Sequence, residues 1–325
     1  MWYDGLGCDM SIPRYENYMM AEHIITMTAI VVNAFAAYCV ITRSPVYIGK
    51  FKYCLLYHLF ATALVDFLIS AALIPVLVLP FMAGYVLGFL KFLPMNLLAF
   101  IAFFACGLMA TTSVMLFAYR HYSILPSFHS HQLSRRGKII GFILLHSGTL
   151  LWVPFVITGK SSEEFKEYLE EKFKNSSMCP LPELLMPETY VVSIHSYSIA
   201  VFLTVYLTIA CLLCIYWMGH SYYYLNTAKI SKRHSTLQKK YFLAVAIQVV
   251  TPLFALIIPA GLLIGMTFRM VHGSDWINTC LMIISTHGMI GSICLVLVNP
   301  SYRRVLWQPR VRRSSMSIST TTSRG

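Results

Sequence analysis

The chain has 325 residues, 57% of them hydrophobic and only 12% charged, with a formal net charge of +12. That balance excludes an ordinary soluble domain and reads as a polytopic membrane protein. The basic excess is no nucleic-acid signature, because all 25 Lys and Arg fall between long apolar runs or in the tails.

Seven runs read as membrane-spanning helices: 23–41, 53–80, 95–119, 139–157, 190–218, 241–266 and 277–298. They predict an all-α bundle of seven transmembrane helices, with an outer N-terminal segment 1–22, a membrane domain 23–304 and a Ser/Thr/Arg-rich tail 305–325. The first run is expected to act as an uncleaved targeting signal. Only short connections join the spans, so no separate catalytic domain is expected.

Basic residues set the orientation. Seven of the 25 lie on the side of the N-terminus and 18 on the side of the C-terminus, which places the N-terminus outside and the C-terminus in the cytoplasm. Every Asp and Glu except Asp66 is assigned to the outer side.

In chain order, Cys8 in the outer segment and Cys179 in the fourth connection are the only cysteines placed outside, and they form the candidate disulfide. The other seven read as unpaired thiols within the bundle. Asn33 lies on the first span. Asp66 on the second is the one acid within a span, where a charge costs about 2.5–3.5 kcal/mol at the helix centre. Both a functional role and a hydrogen-bonded packing role are open to it, and Asn33 is its candidate partner.

The third span, Met95 to Tyr119, has no Asp, Glu, Lys or Arg and ends at Arg120. Ala99, Ala102, Cys106, Ala110 and Ser113 recur on one side of it, a pattern that predicts close approach of neighbouring helices. The connection 158–189 starts with a charged segment in which Ser161 and Ser162 are candidate caps of a short helix, and Asn175 begins a glycosylation sequon. Pro252 and Pro259 share a face of the sixth span. Each removes a backbone hydrogen bond, so they are candidate hinge positions as well as tolerated membrane prolines.

His58, His146, His195 and His287 lie on four different spans. Paired ligands of the kind a zinc hydrolase needs are missing, so hydrogen-bonded interior roles are expected and an intramembrane metal-dependent hydrolase is a remote alternative. No cofactor is indicated. Depth and character select Asn96, Phe100, Phe103, His195, Tyr197 and Trp276 as candidate ligand-lining residues.

Several stretches in a fixed order carry a family resemblance: HIITMTAIVVNAFAAYCVITRSP, LYHLFATALVDFLIS, IPVLVLPFMAGYVLGFLKF, CPLPELLMPETYVVS, LQKKYFLAVAIQVVTPLFALIIP and STHGMIGSICLVLVNPSYRRVL. Together, over about residues 23–307, they resemble the nematode serpentine chemoreceptors, specifically class H of the Str superfamily, with class I as the nearest competitor. The resemblance implies a bundle of the G protein-coupled receptor type in the plasma membrane of sensory neurons and their cilia. It further implies a small environmental chemical as ligand and a heterotrimeric G protein as partner. An odorant-gated channel is the alternative.

Candidate coupling residues are Arg120, Arg135, Arg136, Lys232, Arg233, Lys239, Lys240, Tyr302 and Arg303. The tail is a candidate target for a receptor kinase and arrestin. The sequence departs from rhodopsin-like receptors at AYRHY, where no acid precedes Arg120, and it has no Cys at the outer end of the third span.

Overall fold

A computed structural model describes residues 14–45, 48–79, 81–126, 129–154, 160–161, 181–186, 188–191, 196–227, 232–269 and 273–307. The first helix, α1, runs Glu16–Arg43, seven residues earlier than the apolar run alone predicts. Its added turns carry Glu22, fully buried within the bundle, so the assignment of this acid to the outer segment is corrected. The early start follows from what the turns bury: Tyr15 and Tyr18 pack with Tyr85 and Ile277 in one apolar cluster.

The second span stops short of its expected end at 80. Helix α2, Phe51–Phe67, passes into a π-helical turn, Leu68–Leu73, and Ile74 then takes a left-handed conformation with φ 45°. Pro75 disfavours a helical conformation in the residue before it and removes the next donor, which ends the helix there. The chain turns into an antiparallel hairpin of β1, Pro75–Val78, and β2, Ala83–Val86.

The returning strand closes the helix end. Leu87 N–H donates to Ile74 O at 3.1 Å, Gly88 N–H to Leu73 O at 2.7 Å and Leu90 N–H to Ala72 O at 3.0 Å, which satisfies carbonyls a helix terminus leaves open. Only glycine fits position 88, where a Cβ would lie 2.4 Å from Ala72 O.

Helix α3 spans Met95–Ile124. Helix α4, Arg135–Ser147, is capped by Ser134 Oγ, which accepts from Gly137 N–H at 3.1 Å, and it tightens into a 3₁₀ segment, Gly148–Trp152. Gly107 of α3 faces Thr149 of that segment, where a Cβ would come within 3.3 Å of its side chain. Short strands β3, Lys160–Ser161, and β4, Tyr190–Val191, complete a sheet in the order β1-β2-β4-β3. Ser161 is in a strand, the other candidate cap, Ser162, lies outside the described residues, and Tyr190 precedes the fifth helix.

Helix α5 is Ser196–Thr227 and α6 is Lys232–Arg269, the latter containing Pro252 and Pro259. The seventh span is two helices, α7 at Ser274–Ser285 and α8 at His287–Val298, interrupted at Thr286. Helix α9, Pro300–Trp307, follows. Six of these segments are long and apolar enough to cross a membrane. They close a ring in which α1 packs on α2, α2 on α3, α3 on α5, α5 on α6, and α6 and α1 on α8.

Lipid-facing and core positions separate by size and polarity. Apolar residues such as Ile24, Val31, Val205 and Leu212 are exposed, while Asn33, His58, Asp66, Thr112 and Ser292 are buried. Backbone polar groups are satisfied within each helix, so the buried side chains decide how helices meet.

Candidate functional site

A cavity of about 350 Å³ lies between α2, α3, α5 and α6, directly beneath the sheet. Its walls are almost wholly apolar: Leu68, Ile69 and Leu73 from the π turn and its approach, Leu203 and Leu207 from α5, Leu256, Ala260 and Leu263 from α6, and Leu281 and Ile284 from α7. The hairpin and β4 roof it with Val76, Ala83, Tyr85 and Tyr190.

The small residues of α3 create this space. Ala99, Ala102, Cys106 and Ala110 line the cavity, and Ala102 and Cys106 also pack against the apolar cluster that joins Val65 and Leu68 to Met109. Close approach is made one step around the helix, at Gly107 against Thr149. Ser113, the last member of the stripe, is buried and donates to Met109 O at 2.9 Å.

The cavity wall carries no charge. Tyr206 OH donates to Gly107 O at 3.4 Å and Thr267 Oγ1 to Leu263 O at 3.0 Å, so both hydroxyls serve the backbone. In the roof, burial pushes the phenols of Tyr85 and Tyr190 above their ordinary range, which keeps them as neutral O–H groups. Leu256 and Ala260 flank Pro259 on α6, so the cavity touches that helix where its hydrogen-bond ladder is interrupted.

A second constellation lies beside it, at the break in the seventh span. Asp66 Oδ1 accepts Gly288 N–H at 3.1 Å and Oδ2 accepts Met289 N–H at 2.8 Å, so a carboxylate of α2 caps the N-terminus of α8. His287 Nδ1 lies 3.0 Å from Asp66 Oδ1 and 2.8 Å from Ile284 O, two acceptors that place its proton on Nδ1. Glu22 Oε2 accepts from Ser285 Oγ at 2.8 Å, on the α7 side of the break. Thr26 Oγ1 approaches Ser70 Oγ at 2.7 Å, and Ser70 Oγ donates to Asp66 O at 2.7 Å.

Acids from α1 and α2 thus grip the seventh span on both sides of Thr286. Asn33 is bonded by Ser292 Oγ, and Asp66 takes its partners from α8, so Asn33 as the partner of Asp66 is corrected. Gly288 permits the contact, since a Cβ there would lie 2.6 Å from Asp66 Oδ2.

Of the other candidates, Phe103 lines the cavity, while Phe100 stacks on Phe104 at 5.9 Å and Asn96 and Trp276 are exposed. Those three stand outside the cavity. His195, Cys8, Cys179 and Asn175 lie outside the described residues, as do the side chains of Tyr197, Lys232, Arg233 and Lys240. Lys239 is half-buried, and Arg135, Arg136 and Arg303 are exposed.

Arg120 places its guanidinium 5.5 Å over the Phe51 ring. Tyr302 is buried, its hydroxyl 2.8 Å from Ser44 Oγ, and offers no surface in this state. His58 Nδ1 pairs with Thr112 Oγ1 at 3.2 Å and His146 Nε2 with Tyr57 OH at 3.0 Å. The seven cysteines other than Cys8 and Cys179 are free thiols.

The model of the serpentine type 7TM GPCR chemoreceptor Srh family matches residues 14–311. The chain belongs to that family, which settles class H over class I. No curated protein matches it.

Proposed function

We propose that this protein is a chemosensory receptor whose ligand is a small, uncharged, weakly polar molecule held in the cavity beneath the sheet. The carrying observation is an apolar, charge-free cavity of about 350 Å³ in the middle of a serpentine chemoreceptor bundle. That volume is near the small end of the usual range of about 300–1,000 Å³ for ligand pockets. A charged ligand would enter without a counter-ion and lose its hydration, whereas an odorant-sized molecule exchanges water for apolar wall.

Charge bias supports an N-terminus outside and a C-terminus in the cytoplasm, and membership of a chemoreceptor family supports the plasma membrane of a ciliated sensory neuron. Ligand binding then favours a state in which α6 swings about Pro252 and Pro259. The swing exposes Arg120 to a heterotrimeric G protein beside the already exposed Arg135, Arg136 and Arg303, with Tyr302 released from Ser44. In this reading the Ser/Thr-rich tail takes a receptor kinase and arrestin, Cys8 pairs with Cys179, and Asn175 carries a glycan.

The test is a panel of volatile and water-soluble chemicals applied to cells expressing the receptor, read by calcium and then by nucleotide exchange with purified protein. An agonist is expected to drive exchange, and Ala102→Phe is expected to lower its potency at least about tenfold. Ligand-evoked current with no G protein present would replace this reading with a channel.

A further inference from the structure

Four imidazoles from three segments meet at the end of the bundle remote from the N-terminus. His121 comes from the last turns of α3, His129 and His131 from the connection to α4, and His220 from α5. Ring centroids are 4.7 Å apart for His131–His220, 4.9 Å for His121–His220, 5.6 Å for His129–His131 and 5.8 Å for His129–His220. Tyr122, Tyr216, Trp217 and Tyr224 pack edge-on or tilted around them.

One hydrogen bond of the cluster requires a neutral ring. His129 Nδ1 accepts the His131 backbone N–H at 3.2 Å, a bond that protonation of that nitrogen destroys. His131 Nδ1 pairs with Tyr216 OH at 3.1 Å and His121 Nδ1 with Ser221 Oγ at 3.1 Å. Three polar atoms at the junction, His220 Nδ1, Trp217 Nε1 and Gln132 Oε1, are buried without a hydrogen-bond partner among the described residues. Such atoms weaken a closed arrangement and favour one that admits water.

Among the described residues around the cluster no acid neutralises an imidazolium. Residues 120–140 and 216–240 contain no Asp or Glu. The charged and titratable groups around the four rings are Arg120 and Tyr122 on α3, Lys138 of α4 with its Nζ 5.3 Å over Tyr122, and Tyr216 and Tyr224 on α5. One imidazolium can donate to a neutral neighbour, but a second has only cations and other imidazoles beside it.

We propose that His121, His129, His131 and His220 form a proton-operated latch: neutral, they hold the α3–α4 connection against α3 and α5, and on gaining two protons they separate and open this end of the bundle. Assigning the latch to the cytoplasm rests on the orientation proposed above. The opening step does not depend on that orientation. Among the described residues no group of His, Cys, Asp and Glu is arranged to hold a metal ion, so protons are the fitting ligand.

The full-length receptor in lipid nanodiscs tests this directly. Trp217 lies 6.1 Å from the His121 ring, close enough for an imidazolium to quench it. Between pH 7.5 and 4 tryptophan emission is expected to fall more steeply than one proton allows, which is about tenfold per pH unit. Trp217→Phe should remove the change. Hydrogen exchange of residues 129–134, normalised to intrinsic rates, should rise about tenfold or more over the same interval.

The exposed His131→Gln, alone and with His220→Gln, should flatten both transitions. Retention of the steep transition in the double variant, or unchanged exchange on acidification, would overturn the latch. So would protection of 129–134 by micromolar zinc at pH 7.5, which would make the cluster a metal site. In sealed vesicles, acid applied to the N-terminal side alone should leave the emission unchanged. A response from that side would refute the orientation while leaving the latch intact.

Discussion

Asp66 and Gly288 are 222 residues apart in sequence, yet the carboxylate of one is seated on the backbone of the other, with Gly288 N–H donating to Oδ1 at 3.1 Å. The only intramembrane acid evident from the apolar runs thus caps the second half of a broken helix. Two consequences of this contact and three of other contacts can be measured.

Gly288→Ala puts a Cβ 2.6 Å from Asp66 Oδ2. The oxygen belongs to a short, fully committed side chain, so the helix end must shift and the cap opens. A loss of about 1–3 kcal/mol is expected, seen as a fall of several degrees in the thermal midpoint of the purified receptor.

Asp66→Asn keeps one carbonyl oxygen for a backbone N–H but gives up the second acceptor and the charge that faces His287. Asp66→Ala leaves the two backbone donors bare in a buried site and His287 Nδ1 with Ile284 O alone. The alanine variant should lose about 3–5 kcal/mol and the asparagine variant clearly less, and folded yield should rank them in that order.

Glu22→Gln preserves an acceptor for Ser285 Oγ and removes a buried acid, so thermal stability should stay within about 1 kcal/mol of the parent. Glu22→Lys brings a cation into a fully buried position and should prevent folding. Equal expression of the two variants would contradict the buried placement of Glu22.

Ala102→Phe fills the cavity from its α3 wall. Agonist potency should fall at least about tenfold with surface expression retained, because the aromatic ring occupies space that is empty in the parent. The exposed Trp276→Ala should change potency little.

Tyr302→Phe removes the 2.8 Å bond to Ser44 Oγ and costs about 0.5–1.5 kcal/mol in the closed state. If release of Tyr302 accompanies opening, ligand-free signalling rises in this variant, and basal nucleotide exchange is the measurement.

Six of the seven spans were legible in the sequence because lipid demands long uncharged runs, and Arg120 marks the end of α3 within about a turn. The hairpin was hidden by its composition: Pro75–Pro80 is as apolar as the helix before it, and only the prolines hint that the helix stops. Glu22 was misplaced because an acid ahead of an apolar run looks like a boundary, while Ser285, its partner, lies 263 residues on.

His287 was within reach. The polar interruption Ser285-Thr286-His287-Gly288 stands at mid-membrane, at the depth of Asp66, and pairing the two by depth would have found the cap. The α3 stripe showed small residues but not whether a neighbour fills the space they leave; that depends on α5 and α6, whose distances no local pattern records.

The π turn at Leu68–Leu73 accommodates one residue more than regular α-helical winding would, between Asp66 and the start of the hairpin. The wider winding turns less per residue, so the six residues there cover about the angle that five α-helical residues would, and the extra residue leaves the roof in place above the carboxylate. Related chains that keep both parts are therefore expected either to keep the spacing from Asp66 to Gly88 together with the π turn, or to lose one residue and the π turn together.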